Sequence, residues 1–468
     1  MPEGPEVRIT TEYLNDELAG CELLSTKIMG GRYFSMDGNI RKPPKGWETL
    51  ENLLPGTIDW VDCKGKTIFF KISNSKNPND LVYLKCGLGM TGRWNKMAVI
   101  DRFYQNKKHP HRAVEFTYRI PGKSSAKAPK IVYNKRKASE NEAPPTKKEK
   151  LDKKGLVKVE NILNGEAVNQ DKEVENLSKR VRKVRVAAKN AKAKMQKTEP
   201  KLEEPEIKKE IIEKPIEKIE EDPKESPETK PKKSPKGKFA IRDIDIENWH
   251  TEMDSIAENQ EKIWFCDPRR FGSIEVLDYE EYLKALDQLG PDMLANEIFQ
   301  ANLLVQKQEK LENKNITVLK SEKLLPQRPI EISPPTNFND FFNIVSHKKH
   351  EQKTLTKFLM DQKNISGVGN YIKAEALYEA KISPYRKIID IEKEKLEICY
   401  KSIVRIMNTS YALQGNTLKS YYSPTGEVGS FFELLKVYGK DQDPEGNKVR
   451  TDTTDDGRTT HWVQKIQV

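Results

Sequence analysis

The sequence predicts an α+β protein: an N-terminal two-layer β-sandwich with flanking helices, then a helical domain, then a β-hairpin. Three observations predict this. Short β-rich runs separated by turn residues occupy positions 22–118 and return at 263–277. Helical periodicity dominates from Phe338 to Ala412. Near the C-terminal end an Asp456-Gly457 pair, a two-residue hairpin signal, lies between two β-rich runs.

Taken in order, residues 5–18 read as a helix, because Val7, Leu14 and Leu18 share one face and Gly20 is placed as a stop. Strands are expected at 22–29, 57–61, 67–72, 81–85 and 113–118. Between the second and third, Lys64-Gly65-Lys66 reads as a hairpin turn rimmed by lysines. Residues 122–240 are mostly Lys, Glu, Pro, Ser and Ala. Such a segment buries too little apolar area to offset its chain entropy, so disorder is expected, with transient helix around 174–198. Order resumes near Ile241, with strands at 263–266 and 273–277 and a helix at 279–286 ending near Gly290-Pro291. A second polar stretch, about 307–335, reads as a smaller insertion. Helices follow at 338–345, 354–360, 371–379 and 392–412. Residues 434–468 read as β, with strands at 437–438, 449–452 and 460–466. The sandwich thus spans 1–121 and 241–290, the long insertion 122–240, the helical domain 291–433 and the terminal hairpin 434–468.

Composition narrows the partners. The 468 residues carry a formal net charge of +11, which favours a polyanion, nucleic acid being the commonest. The competing reading is that lysine-rich tails carry the excess. Five cysteines, Cys21, Cys63, Cys86, Cys266 and Cys399, are scattered with no C-x-x-C pair. That argues against a disulfide framework and a cysteine zinc site, and favours a reducing compartment. No apolar run approaches the ~20 residues of a membrane span, and no signal-peptide h-region is present at the start. Lys135-Arg136-Lys137 and Lys147-Lys148-Glu149-Lys150 are spaced as in a bipartite nuclear-import signal, so a nuclear location is expected; a generic lysine-rich linker is the alternative.

Four stretches carry chemistry. The first is Met1-Pro2-Glu3-Gly4-Pro5-Glu6. If Met1 is trimmed, Pro2 becomes a terminal secondary amine with a pKa of roughly 7.7–8.0, against about 10.4 for lysine. A neutral amine attacks an electrophilic carbon, and a secondary amine gives a cationic iminium, an electron sink. Glu3 is close enough to move protons for that chemistry. The alternative is a Pro/Glu-rich start without function. The second is Ile365-Ser366-Gly367-Val368-Gly369-Asn370, where bare backbone at Gly367 and Gly369 meets a helix start, a natural anion site to which Asn370 adds a donor. An ordinary interhelical turn is the alternative. The third pairs Gly89-Met90-Thr91-Gly92 with Asp267-Pro268-Arg269-Arg270-Phe271-Gly272. A flexible apolar chain, a guanidinium and an aromatic ring suit a duplex gap left by an extruded base; the alternative puts Met90 and Phe271 in the core and Arg269 on the surface. The fourth is Arg458 beside the Asp456-Gly457 turn, either a phosphate-holding cation or a solvated arginine.

These motifs, with Gly457-Arg458-Thr459-Thr460, stand in the order found in the Fpg/Nei family of formamidopyrimidine-DNA glycosylase and endonuclease VIII type repair enzymes, which the chain resembles over both ends and most of its length outside the two insertions. The resemblance implies a β-sandwich joined to a helix-two-turn-helix domain. It implies that Pro2 is the nucleophile, Glu3 the proton donor, Lys66 a lesion-side phosphate contact that assists catalysis, and Asn370 and Arg458 clamps on flanking phosphates. Met90, Arg269 and Phe271 match the family's void-filling trio, His109 aligns with a DNA-contacting histidine, and Glu6 matches an acidic residue of open role. Gly4 makes the start look more like the Nei branch than the Fpg branch.

Two departures stand out. The family's four finger cysteines are missing between Val437 and Val468, so the chain resembles zincless-finger members, whose β-hairpin keeps Arg458. The long insertion sits inside the hairpin between 113–118 and 263–266, where closure entropy makes it cheap. The implied activity is bifunctional: excision of oxidised bases, pyrimidines foremost, followed by β,δ-elimination through a Pro2 iminium. The implied partner is damaged DNA, duplex, single-stranded or bubble; a monomer without metal, nucleotide or redox cofactor is expected. The competing classes are an inactive damaged-DNA-binding protein on the same scaffold, an enzyme for 8-oxoguanine and formamidopyrimidines, and a ribosomal or topoisomerase helix-two-turn-helix component. The base pocket is expected to come partly from 417–432.

Overall fold

A computed structural model describes residues 2–34, 42–121, 243–257, 259–295, 336–416 and 429–468. All the described residues belong to one compact unit. The long insertion with its two basic clusters, the 174–198 helix, the 307–335 insertion and most of the 417–432 pocket lie outside the described residues.

The chain opens with α1 (Gly4–Leu18). Its first turn is closed by the Glu6 carboxylate, which accepts the Glu3 N–H at 2.9 Å, a capping arrangement that satisfies an otherwise orphaned donor. Pro5 fits an early helical position because its missing N–H would have no partner there. After α1 come β1 (Glu22–Ile28), α2 (Trp47–Leu53), β2 (Gly56–Lys64), β3 (Thr67–Asn74), β4 (Leu81–Gly87), β5 (Arg93–Lys96), α3 (Met97–Gln105) and β6 (Arg112–Arg119). The chain then continues through α4 (Asp243–Asp254), β7 (Gln260–Cys266), β8 (Ser273–Leu277) and α5 (Tyr279–Asp287).

The eight strands pair in the antiparallel order β5-β7-β6-β1-β2-β3-β4-β8. They fold over one shared core as two layers. Phe70 of β3 and Phe116 of β6 are three strands apart along the sheet, yet their rings lie 6.2 Å apart, and Trp94 of β5 lies 5.5 Å from Phe70. β3 and β6 are buried on both faces, Ala113–Tyr118 without interruption, so each needs a covering layer, which this closure supplies. β6 and β7 pair up to Arg119 and Gln260, so the long insertion leaves from a hairpin end.

Four elements were not anticipated: α2, β5, α3 and α4. α2 and β5 are short and α4 is mixed in polarity, whereas α3 does carry helical apolar spacing at Met97, Ile100 and Tyr104. Tertiary contacts fix them: Trp249 of α4 stacks on Tyr104 of α3 at 5.1 Å and meets Trp264 of β7 at 5.4 Å, with the Arg112 guanidinium 5.3 Å from the Trp249 ring.

The helical part comprises α6 (Phe338–Val345), α7 (Leu355–Met360), α8 (Asn370–Glu379) and α9 (Lys393–Ala412) around a second apolar core. α1 packs against both β2 and α9, so the first helix runs between the two cores. The terminal hairpin is β9 (Arg450–Thr453), one residue on from the run expected at 449–452, and β10 (Thr459–Trp462), shorter than the run expected at 460–466. Val437-Tyr438 is not a strand. The N–H groups of Lys436, Val437 and Tyr438 donate to the Glu375 carboxylate at 2.8, 2.9 and 2.7 Å, so a buried anion of α8 takes the bonds a ladder would need. All five cysteines are buried free thiols within these cores.

Candidate active site

Glu3 sits 2% exposed where the first turn of α1 meets the start of α8. Its Oε1 accepts the Tyr371 N–H at 2.9 Å and its Oε2 the Ile372 N–H at 3.3 Å. The Gly4 N–H donates to the Gly367 carbonyl at 2.9 Å. This corrects the reading of Gly367 and Gly369 as a phosphate cradle: the group held at this helix start is the Glu3 carboxyl. A Cβ at Gly369 would overlap the Glu3 carboxyl. One at Gly367, where φ is +95°, would lie 2.9 Å from Met407 Cε.

Burial pushes the Glu3 carboxyl up to about 7. Lys66 and the two amides pull it down, and Glu6 pushes it further up. Glu6 is equally buried and accepts from the backbone N–H of Asn416 at 2.7 Å and the Tyr371 hydroxyl at 3.2 Å.

Lys66 occupies the two-residue turn between β2 and β3. Gly65 adopts a φ of +57° and gives its N–H to Asp292 Oδ2 at 2.9 Å, which ties the turn to the helical part. Lys66 Nζ donates to the Val368 carbonyl at 2.8 Å, on the loop that faces Glu3. Burial lowers its pKa, Glu3 opposes that, and the nearby Arg458 guanidinium adds to the lowering. Arg458 itself is exposed at the tip of the β9–β10 hairpin. Asn370 Nδ2 donates to the Thr459 carbonyl at 2.7 Å, next to Arg458.

A second cluster holds the trio. Asp267 is buried; its Oδ1 accepts the Thr91 hydroxyl at 3.1 Å and its Oδ2 the Gly272 N–H at 2.6 Å, which closes the loop on itself. Arg269 Nη1 then lies 4.0 Å from Met90 Sδ, and Phe271 stands 60% exposed. An exposed phenylalanine on a braced loop rules out the core reading of Phe271. His109 accepts the His111 N–H at 2.9 Å, and the His111 carbonyl accepts the Asp267 N–H at 3.0 Å, so the histidine pair adjoins this loop. Burial lowers the pKa of His109 and, with His109 beside it, takes His111 down to about 4.

The structure thus gathers Pro2, Glu3, Lys66, Gly367, Gly369, Asn370 and Arg458 at one place, and Met90, Arg269, Phe271 and His109 at another. Sequence reasoning missed Asp292, Tyr371 and Lys373. The Glu3–Glu6 spacing is a capping-box signal that would have found the Glu6 contact. Nothing local distinguishes Lys373 from a solvated helix lysine. Among the described residues no group of three or more His, Cys, Asp or Glu side chains could hold a metal ion.

Comparison with known proteins agrees with this geometry. Residues 1–133 match the formamidopyrimidine-DNA glycosylase N-terminal domain, and residues 332–421 match the formamidopyrimidine-DNA glycosylase H2TH domain. A formamidopyrimidine-DNA glycosylase of Wolbachia pipientis wMel is 29% identical over 234 residues, 49% of this chain and 71% of the relative. The one from Wolbachia pipientis of Culex pipiens (strain wPip) is 30% identical over 232 residues, 48% of this chain and 69% of the relative. The Lactococcus lactis Fpg solved with abasic-site DNA aligns over 99% of both chains with a TM-score of 0.50 at 14% identity, a likeness of fold. On the strength of the wPip relative and the shared architecture, the chain belongs to the Fpg/Nei family of formamidopyrimidine-DNA glycosylases.

Proposed function

We propose that this protein is a bifunctional DNA glycosylase and AP lyase of the Nei branch, which removes oxidised bases, pyrimidines foremost, in base-excision repair. The observation that carries this reading is the buried Glu3 carboxyl, next to Pro2 and beside Lys66, with its proton held to about neutral pH. In a mature chain beginning at Pro2, the nitrogen lone pair forms a bond to C1′ and the glycosidic bond breaks, its electron pair leaving with the base. The proton on the attacking nitrogen is lost and the departing base takes up one proton; Glu3 supplies the proton that lets the sugar ring oxygen leave C1′ as a hydroxyl, and the nitrogen lone pair closes the iminium. The iminium acidifies the 2′ hydrogen. Loss of that proton breaks the C3′–O bond, and a second elimination breaks C5′–O, leaving phosphates at both ends of the gap.

The other residues hold the substrate. Lys66 faces the lesion-side phosphate. Asn370 is held at the hairpin by its amide bond to the Thr459 carbonyl and by the Tyr438 hydroxyl, a placement that sets it toward a flanking phosphate. Arg458 presents an exposed guanidinium suited to bidentate phosphate contact. Met90, Arg269 and Phe271 fill the space of the extruded nucleotide. The protein acts as a monomer, in the nucleus, with a finger built without zinc.

The names of the relatives favour one second reading, an enzyme for formamidopyrimidines and 8-oxoguanine. A cleavage panel separates the two. Duplex and single-stranded oligonucleotides, each with one lesion, should show thymine glycol cut faster than 8-oxoguanine; the reverse order assigns the second reading, and no cleavage of any lesion overturns both.

A further inference from the structure

We propose that Lys373 is a positioning residue that acts through Asp456 to hold Arg458 over the site. The inference rests on the role given to Arg458 above. Lys373 lies on α8, three residues beyond Asn370, where its side chain is 0% exposed. Its Nζ meets Asp456 Oδ2 at 2.6 Å, and the Asp456 side chain is 2% exposed. A pair this desolvated returns little net stability compared with apolar residues of similar size, so stability alone is a weak reason for it.

Its geometry supplies another reason. The second oxygen of Asp456 accepts the backbone N–H of Arg458 at 3.3 Å and the hydroxyl of Thr454. The ammonium therefore orients the carboxylate that fixes the backbone of Arg458. The rest of the turn is gripped from the same domain. Asp455 Oδ1 accepts the Thr354 hydroxyl at 2.6 Å and the Thr356 hydroxyl at 3.1 Å, at the start of α7. On the far flank, Asn370 takes the Thr459 carbonyl. Arg458 is thus bracketed by contacts on residues 455, 456 and 459, all from α7 and α8, while its own side chain stays exposed. Lys373 also lies within electrostatic reach of Glu3, which attracts it, and of Arg458, which repels it. The helix that presents amides to Glu3 therefore also aims the hairpin cation.

The test uses the full chain and four variants: Lys373→Met, Arg458→Ala, the two combined, and the double Lys373→Met/Asp456→Leu. Single-turnover excision, binding to a duplex carrying a tetrahydrofuran abasic analogue, and thermal melting are measured on each. Lys373→Met should lose excision and binding to within about threefold of Arg458→Ala, and the combined variant should be no worse than Arg458→Ala, because both changes remove one function. Lys373→Met/Asp456→Leu removes both buried charges, so it should melt near the parent temperature yet show the Arg458→Ala loss. Parent-like excision in that pair, or a combined variant whose losses multiply, overturns the inference while leaving the functional reading intact. A parent chain that neither excises nor binds the lesion duplex overturns the functional reading, and this inference with it.

Discussion

Glu3 concentrates the chemistry of the molecule in one carboxyl. An ordinary glutamate titrates near 4.5, whereas burial moves this one to about 7. Between those values the folded protein keeps a proton that the unfolded chain releases. Stability linked to that proton is full below pH 4.5 and is lost as pH rises through 7, at a cost of about 3 kcal/mol. In a urea-unfolding series from acid to mildly alkaline pH, Glu3→Gln should therefore gain about 3 kcal/mol on the parent as pH rises. A stability difference independent of pH would contradict the shift. Excision needs this proton and a neutral Pro2 amine together, so kcat/KM should follow a bell, rising on the acid side as the amine loses its proton and falling on the alkaline side as Glu3 loses its own. Lys66 is the cation that holds this carboxyl down. Lys66→Met, whatever rate it leaves, should move the fall to higher pH, and a shift to lower pH would show that Lys66 acts elsewhere.

Two elements meet at Glu3: the start of α8 and the turn between β2 and β3. Their glycines serve close approach. Gly369→Ala places a Cβ on the Glu3 carboxyl, so it should cost about 1–3 kcal/mol by overpacking and reduce excision, read by melting and single-turnover rates. Parent-like values in both would mean the α1–α8 contact is looser than described. The β2–β3 turn, the hairpin at Asp456-Gly457 and helices α6 to α9 were legible because glycine and apolar spacing are local signals. What the glycines face was not legible. Gly367-Val368-Gly369-Asn370 reads as a phosphate cradle from its own residues, and only residues more than 360 positions away in sequence, Glu3 and Gly4, occupy it. The same limit hid Lys373, whose partner is 83 positions distant. Val437-Tyr438 misled because two β-prone residues say nothing of the Glu375 carboxylate that takes their N–H groups.

At the scale of the whole molecule, the site needs both cores, since α1 brings Pro2 and Glu3 from the sandwich to the helical part. The long insertion leaves from the end of the β6–β7 hairpin, where loop length costs little. Replacing residues 122–242 with a short Gly/Ser linker should leave the melting temperature within a few degrees of the parent and excision intact, while weakening the salt dependence of DNA binding. A collapse of melting would place the insertion in the folded core. The central claim is that the Pro2 nitrogen carries the sugar. It is tested most directly by borohydride reduction of the protein on a lesion duplex, followed by proteolysis and mass mapping of the adduct. The predicted result is a reduced adduct on Pro2 as the first residue of the mature chain; an adduct on Lys66, or none in a reaction that still cuts the strand, would contradict the account.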